Sequence, residues 1–146
     1  MAYWYGWIQL LHLACAIVFA GAVAFEVLIL EALQRDFAPA DMARIEQAVV
    51  RRARRIMPPV VALLFASGAA LFAVRCAGFA CLGSRFGVLL GLKVLLALGV
   101  LGVFASTVWA SLRGRLDPCR FRHTHRLVLA LMTGIVFLAK AMFLLA

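Results

Sequence analysis

Long apolar stretches separated by arginine-rich runs dominate the chain. Residues 7–33 carry only Gln9, His12, Glu26 and Glu31 as strongly polar positions. Residues 57–74 have no charge, residues 86–112 have one at Lys93, and residues 127–146 have one at Lys140. A helix needs about 20 apolar residues to cross the hydrocarbon core of a bilayer. The pattern therefore predicts an all-α integral membrane protein with spans at 7–33, 57–74, 86–112 and 127–146. Tyr3, Trp4, Tyr5 and Trp7 supply an aromatic belt at the first outer interface.

The polar runs refine this picture. A short amphipathic helix is expected from near Asp41, after Pro39, running into the second span, with Pro58 and Pro59 near the start of that span. There proline is best tolerated. The central connection, RCAGFACLGSR, is short. The last one, RGRLDPCRFRHTHR, reads as a loop with turn chemistry at Asp117-Pro118. Short connections favour an antiparallel, up-down-up-down four-helix bundle. Small residues at four-residue spacing, Ala16, Ala20 and Ala24 and then Gly87 and Gly91, suit close helix packing in lipid.

Composition leaves little room outside the membrane. Of 146 residues, 66% are hydrophobic, against about half in a soluble domain, so no large extramembrane catalytic module is expected. The net charge of +9 comes from arginines beside the spans, which the positive-inside rule explains without nucleic acid. Six arginines lie between the first two spans and five between the last two. Only Arg75 and Arg85 lie in the central connection, and none precedes Arg35. This asymmetry predicts that both termini and the central connection face outward. With no basic start, the first apolar run reads as a permanent helix and not as a signal peptide.

Ionisable groups within spans are functional candidates by default. At a rise of about 1.5 Å per residue, His12 lies roughly 10 Å outside the midplane, and Lys93 and Lys140 about 6–8 Å outside it. All six acidic residues, Glu26, Glu31, Asp36, Asp41, Glu46 and Asp117, belong to the inner half or its loops. An anionic ligand would satisfy both lysines, and His12 would ligate a metal within it. Haem fits that description, with propionates toward Lys93 and Lys140 and iron on His12, with Lys93 as a second ligand or a counter-charge.

Simpler readings stand beside this one. The lysines would snorkel to the interface, His12 would hydrogen-bond across helices, and Glu26 would pair with Arg51, Arg54 or Arg55. Copper is the rival cofactor, with His12, Cys15 and Met142 as soft or borderline ligands. Cys76 and Cys81 would form a disulfide in an oxidising compartment. Cys119, His123 and His125 fall short of a four-ligand zinc set, so a basic, solvated loop is the expectation there.

Several segments carry a family resemblance over nearly the whole chain. LLHLACAIVFAGAVAF has an early histidine followed by small and aromatic residues, and RRARRIMPPVVALLFASGAALF has a basic entry to its helix. FGVLLGLKVLLALGVLGV places a lysine inside a glycine-led helix, and HTHRLV leads into the last span with its late Lys140. Together they resemble the CopD-like superfamily of bacterial membrane proteins, which includes the copper resistance D domain and the HemJ-type protoporphyrinogen oxidase. The first helix ends AFEVLIL without the proline and arginine of HemJ-type enzymes, and VWASL lacks the asparagine that often closes the CopD segment. The resemblance implies a four-helix fold, an inner-membrane location and haem b, with the family's important histidine and lysine at His12 and Lys93. It also implies a porphyrin or electron-acceptor partner, and either porphyrinogen oxidation or electron transfer. The alternatives are a copper transport or tolerance protein and a cofactor-free assembly subunit.

Overall fold

A computed structural model describes residues 2–77, 79–115 and 118–145. Every regular element in them is helical. Helix α1 spans Ala2–Phe25 and continues through a π-helical turn, Glu26–Leu30, and a 3₁₀ turn, Ala32–Arg35. Helix α2 spans Pro39–Cys76, a 3₁₀ turn covers Ala80–Gly83, and α3 and α4 span Arg85–Leu112 and Pro118–Leu144. Four of these segments are long and apolar enough to cross a membrane: Tyr3–Arg35, Pro39–Cys76, Arg85–Leu112 and Cys119–Leu144. Large apolar side chains stay exposed along them, Ile17 at 64% and Leu95 at 66% among others. Lipid can cover such side chains, whereas in water each would forgo about 1.5–3 kcal/mol of burial. The chain thus has the make-up of a multi-pass membrane protein.

The fold divides into two compact units, Met1–Arg75 and Cys76–Ala146. In the first, Cys15, Phe19, Val23 and Leu30 are buried, a stripe at helical spacing. Partner numbers run in opposite directions along α1 and α2. Tyr5 meets Arg75, His12 meets Leu64 and Ser67, and Gln34 meets Glu46. The unit is therefore an antiparallel helical hairpin. Helix α2 opens at Pro39, with the Met42 amide donating to Ala38 O at 3.0 Å. It passes through Pro58 and Pro59 without ending, so the apolar span 57–74 is the C-terminal half of one long helix.

The second unit opens with a tight loop. Cys76 and Cys81 are joined by a disulfide, and between them Ala77 and Phe79 adopt left-handed backbone, with φ of 36° and 75°. Such conformations cost non-glycine residues about 1–3 kcal/mol each and need support from their surroundings. Ser84 ties the loop to α3: its hydroxyl donates to Cys81 O at 2.8 Å and accepts from the Gly87 amide at 3.1 Å. Helices α3 and α4 pack together, with Gly134 facing Leu96.

Helix α4 begins at Pro118 and not near Leu127, so most of the arginine-rich run expected as a loop is helical. Proline suits a first helical turn and arginine is a good helix former. The fall in hydropathy therefore marks the edge of the apolar span and not the end of the helix. The predicted Asp117-Pro118 turn involves Asp117, which lies outside the described residues.

Candidate functional site

His12 projects from α1 toward a part of α2 built from small residues, Ala66-Ser67-Gly68-Ala69-Ala70. Its Nδ1 lies 3.0 Å from Leu64 O and 3.1 Å from Ser67 Oγ. A methyl group on Gly68 would come within 3.1 Å of the imidazole Cε1, so glycine lets the ring lie against the α2 backbone. Ser67 is buried at 5% exposure. Its hydroxyl approaches Leu63 O at 2.7 Å and Leu64 O at 3.0 Å. Donating to the nearer carbonyl, it turns a lone pair toward His12.

These contacts select a tautomer. A carbonyl oxygen only accepts, so Nδ1 carries the proton and donates it to Leu64 O, with Ser67 Oγ as a second acceptor. In the neutral ring Nε2 then holds the lone pair. A backbone carbonyl on one ring nitrogen, setting the other as donor to a metal, is the usual arrangement of a ligating histidine.

The other candidates are distributed over both units. Cys15, three residues after His12, is buried on α1 and stands outside any disulfide. Glu26 is half-buried and opens the π-helical turn, where its carbonyl accepts from the Glu31 amide at 3.0 Å. Arg51, Arg54 and Arg55 are exposed on α2. In the second unit Lys93 is half-buried on α3, while α4 carries Lys140, exposed, and Met142, buried. With Leu96 facing Gly134, the antiparallel register puts Lys93 and Lys140 within about one helical turn of the same level.

Cys119 and His123 are exposed in the first turns of α4, and His125 Nδ1 donates to Phe121 O at 2.9 Å. Among the described residues no group of three or more His, Cys, Asp or Glu side chains is placed to hold a metal ion. Leu64, Ser67 and Gly68 are the residues against His12 that the sequence pattern did not single out. The signal available was the Ser-Gly pair inside an otherwise apolar span, at the antiparallel counterpart of His12.

The chain matches no family model, no curated protein and no solved structure.

Proposed function

We propose that this protein is a CopD/HemJ-like membrane protein that binds haem b through His12 Nε2 for a redox role. The observation that carries the reading is the Nδ1–H donated to Leu64 O and Ser67 Oγ, which orients the imidazole and sets Nε2 as the donor atom. When bound, haem supplies a one-electron redox centre, usable for electron transfer or porphyrinogen oxidation. His12 holds the iron, Leu64 and Ser67 hold His12 in its ligating tautomer, and Gly68 keeps the ring seated against α2. Lys93 and Lys140 enter as counter-charges for the propionates, a role supported by their shared level and the lack of acidic residues in the outer half of the spans. The proposal includes an inner-membrane antiparallel four-helix bundle with both termini outside.

The test is an absorption spectrum of the detergent-purified protein, oxidised and dithionite-reduced, with iron and copper measured on the same sample. A Soret band, reduced α and β bands and near one iron per chain, all lost in His12→Ala, is the expected result. Unchanged haem content and spectrum in that variant would sink the proposal. Orientation is checked at Cys119, which is exposed and outside the disulfide. A membrane-impermeant maleimide should label it only after the cells are opened.

Burial of Cys15 close to His12 along α1 favours copper as the second reading. There Cys15→Ser lowers bound copper, and unaltered copper stoichiometry counts against it.

A further inference from the structure

The first half of α2 has two chemically distinct faces. At about 100° per residue, Arg44, Arg51 and Arg55 fall within roughly 40° of one another, with Arg52 and Arg54 to either side. All five are exposed. None has a hydrogen-bond or ion-pair partner among the described residues. The opposite face carries Met42, buried, with Ile45, Val49 and Ala53 half-buried. Glu46 also lies on that side, accepting from Gln34 at 2.9 Å, and so does not neutralise the arginines.

Position along the helix separates the five. Arg51 to Arg55 occupy about 6 Å of rise, directly before the apolar stretch that starts at Met57. They lie at the level where the span enters the headgroup layer, which is about 5–8 Å thick. Arg44 sits about 16 Å further out than Arg55 and beyond that layer.

We propose that Arg51, Arg52, Arg54 and Arg55 form a docking site for the phosphates of an anionic lipid, and that a headgroup with two phosphates is preferred. Guanidinium groups pair with phosphate oxygens through parallel N–H donors. Four of them within one helical turn exceed the charge of a single phosphodiester. Arg51 and Arg55, four residues apart on one face, present two phosphate positions about 6 Å apart along the axis. The inference rests on the membrane reading of the helices and not on any cofactor.

The experiment is native mass spectrometry of the full chain in detergent, titrated with phosphatidylcholine, phosphatidylglycerol or cardiolipin. Cardiolipin should bind at least about ten-fold tighter than phosphatidylcholine, and tighter than phosphatidylglycerol. Arg51→Gln and Arg55→Gln should each weaken cardiolipin about five-fold. Arg44→Gln, outside the layer, and Arg85→Gln, at the start of α3, should change it by less than about two-fold. Helix content by circular dichroism confirms that each variant is folded. Cardiolipin binding no tighter than phosphatidylcholine, or weakened as much by Arg85→Gln, overturns the site. Equal binding of phosphatidylglycerol and cardiolipin overturns the two-phosphate preference. Displacement of cardiolipin by inorganic pyrophosphate would assign the face to a free anion and overturn the lipid.

Discussion

Replacing Gly87 with alanine would drive a methyl group into the backbone of the loop that the Cys76–Cys81 disulfide closes. The added carbon would overlap the Cys81 carbonyl and lie 2.8 Å from Leu82 Cα. These are backbone atoms held by the disulfide and by Ser84, so they cannot swing aside as the end of a flexible side chain does. Overpacking of this kind costs about 1–3 kcal/mol. Displacing the loop also threatens the Ser84 cap on the Gly87 amide, at 3.1 Å, which contributes about 1 kcal/mol. Together they predict a loss of about 2–4 kcal/mol for Gly87→Ala.

Gly99 in the same helix is the matched control, because nothing lies within 4 Å of its added methyl. There the helix preference of alanine predicts no loss and a gain of up to about 1 kcal/mol. The assay is reversible unfolding in mixed micelles by titration with a denaturing detergent, followed by circular dichroism. Mass spectrometry without reductant establishes that the disulfide is intact in both variants. If the two variants agree within about 0.5 kcal/mol, the packing argument at Gly87 is wrong.

Other perturbations separate the remaining contacts. Ser67→Ala removes one of the two acceptors of His12 Nδ1–H and leaves Leu64 O, so on the haem proposal the cofactor should be retained with affinity lowered about ten-fold; complete loss of haem in a folded variant would contradict the assigned tautomer. Gly68→Ala should push the ring by a few tenths of an ångström, given the 3.1 Å approach to Cε1, which on the haem proposal shifts the Soret band while the cofactor stoichiometry holds. Tyr5→Phe deletes the phenol oxygen that Arg75 Nε reaches at 2.7 Å, and because that pair is exposed the loss of stability should stay below about 1 kcal/mol. A loss above about 2 kcal/mol in the same unfolding assay would show that the Tyr5–Arg75 tie holds the hairpin end together.

The helices were legible in the sequence because their causes are local. Runs such as 86–112 satisfy their own backbone hydrogen bonds and carry one charge, so composition over a short window decides them. The helical course of residues 118–126 was not legible in the same signal. Hydropathy registers where a chain leaves lipid, while helix continuation depends on backbone propensity and the proline at the first turn.

His12 stood out in the sequence as an ionisable group in an apolar run, and its distance from the acidic residues along the spans was readable from their order. Its partners Leu64 and Ser67 lie more than fifty residues away in the chain, and a backbone carbonyl leaves no mark in a residue code. Only the packing of α1 on α2 decided which imidazole nitrogen carries the proton. Gly87 read as one of a spaced pair of small residues suited to helix packing, yet the atoms against it are those of the Cys81–Leu82 backbone. The sequence by itself determined four apolar helices and the basic runs between them, since solvent preference acts residue by residue. The tertiary structure alone decided the hydrogen bonds at His12 and the close approach at Gly87, because each depends on backbone atoms from a distant segment or a folded loop.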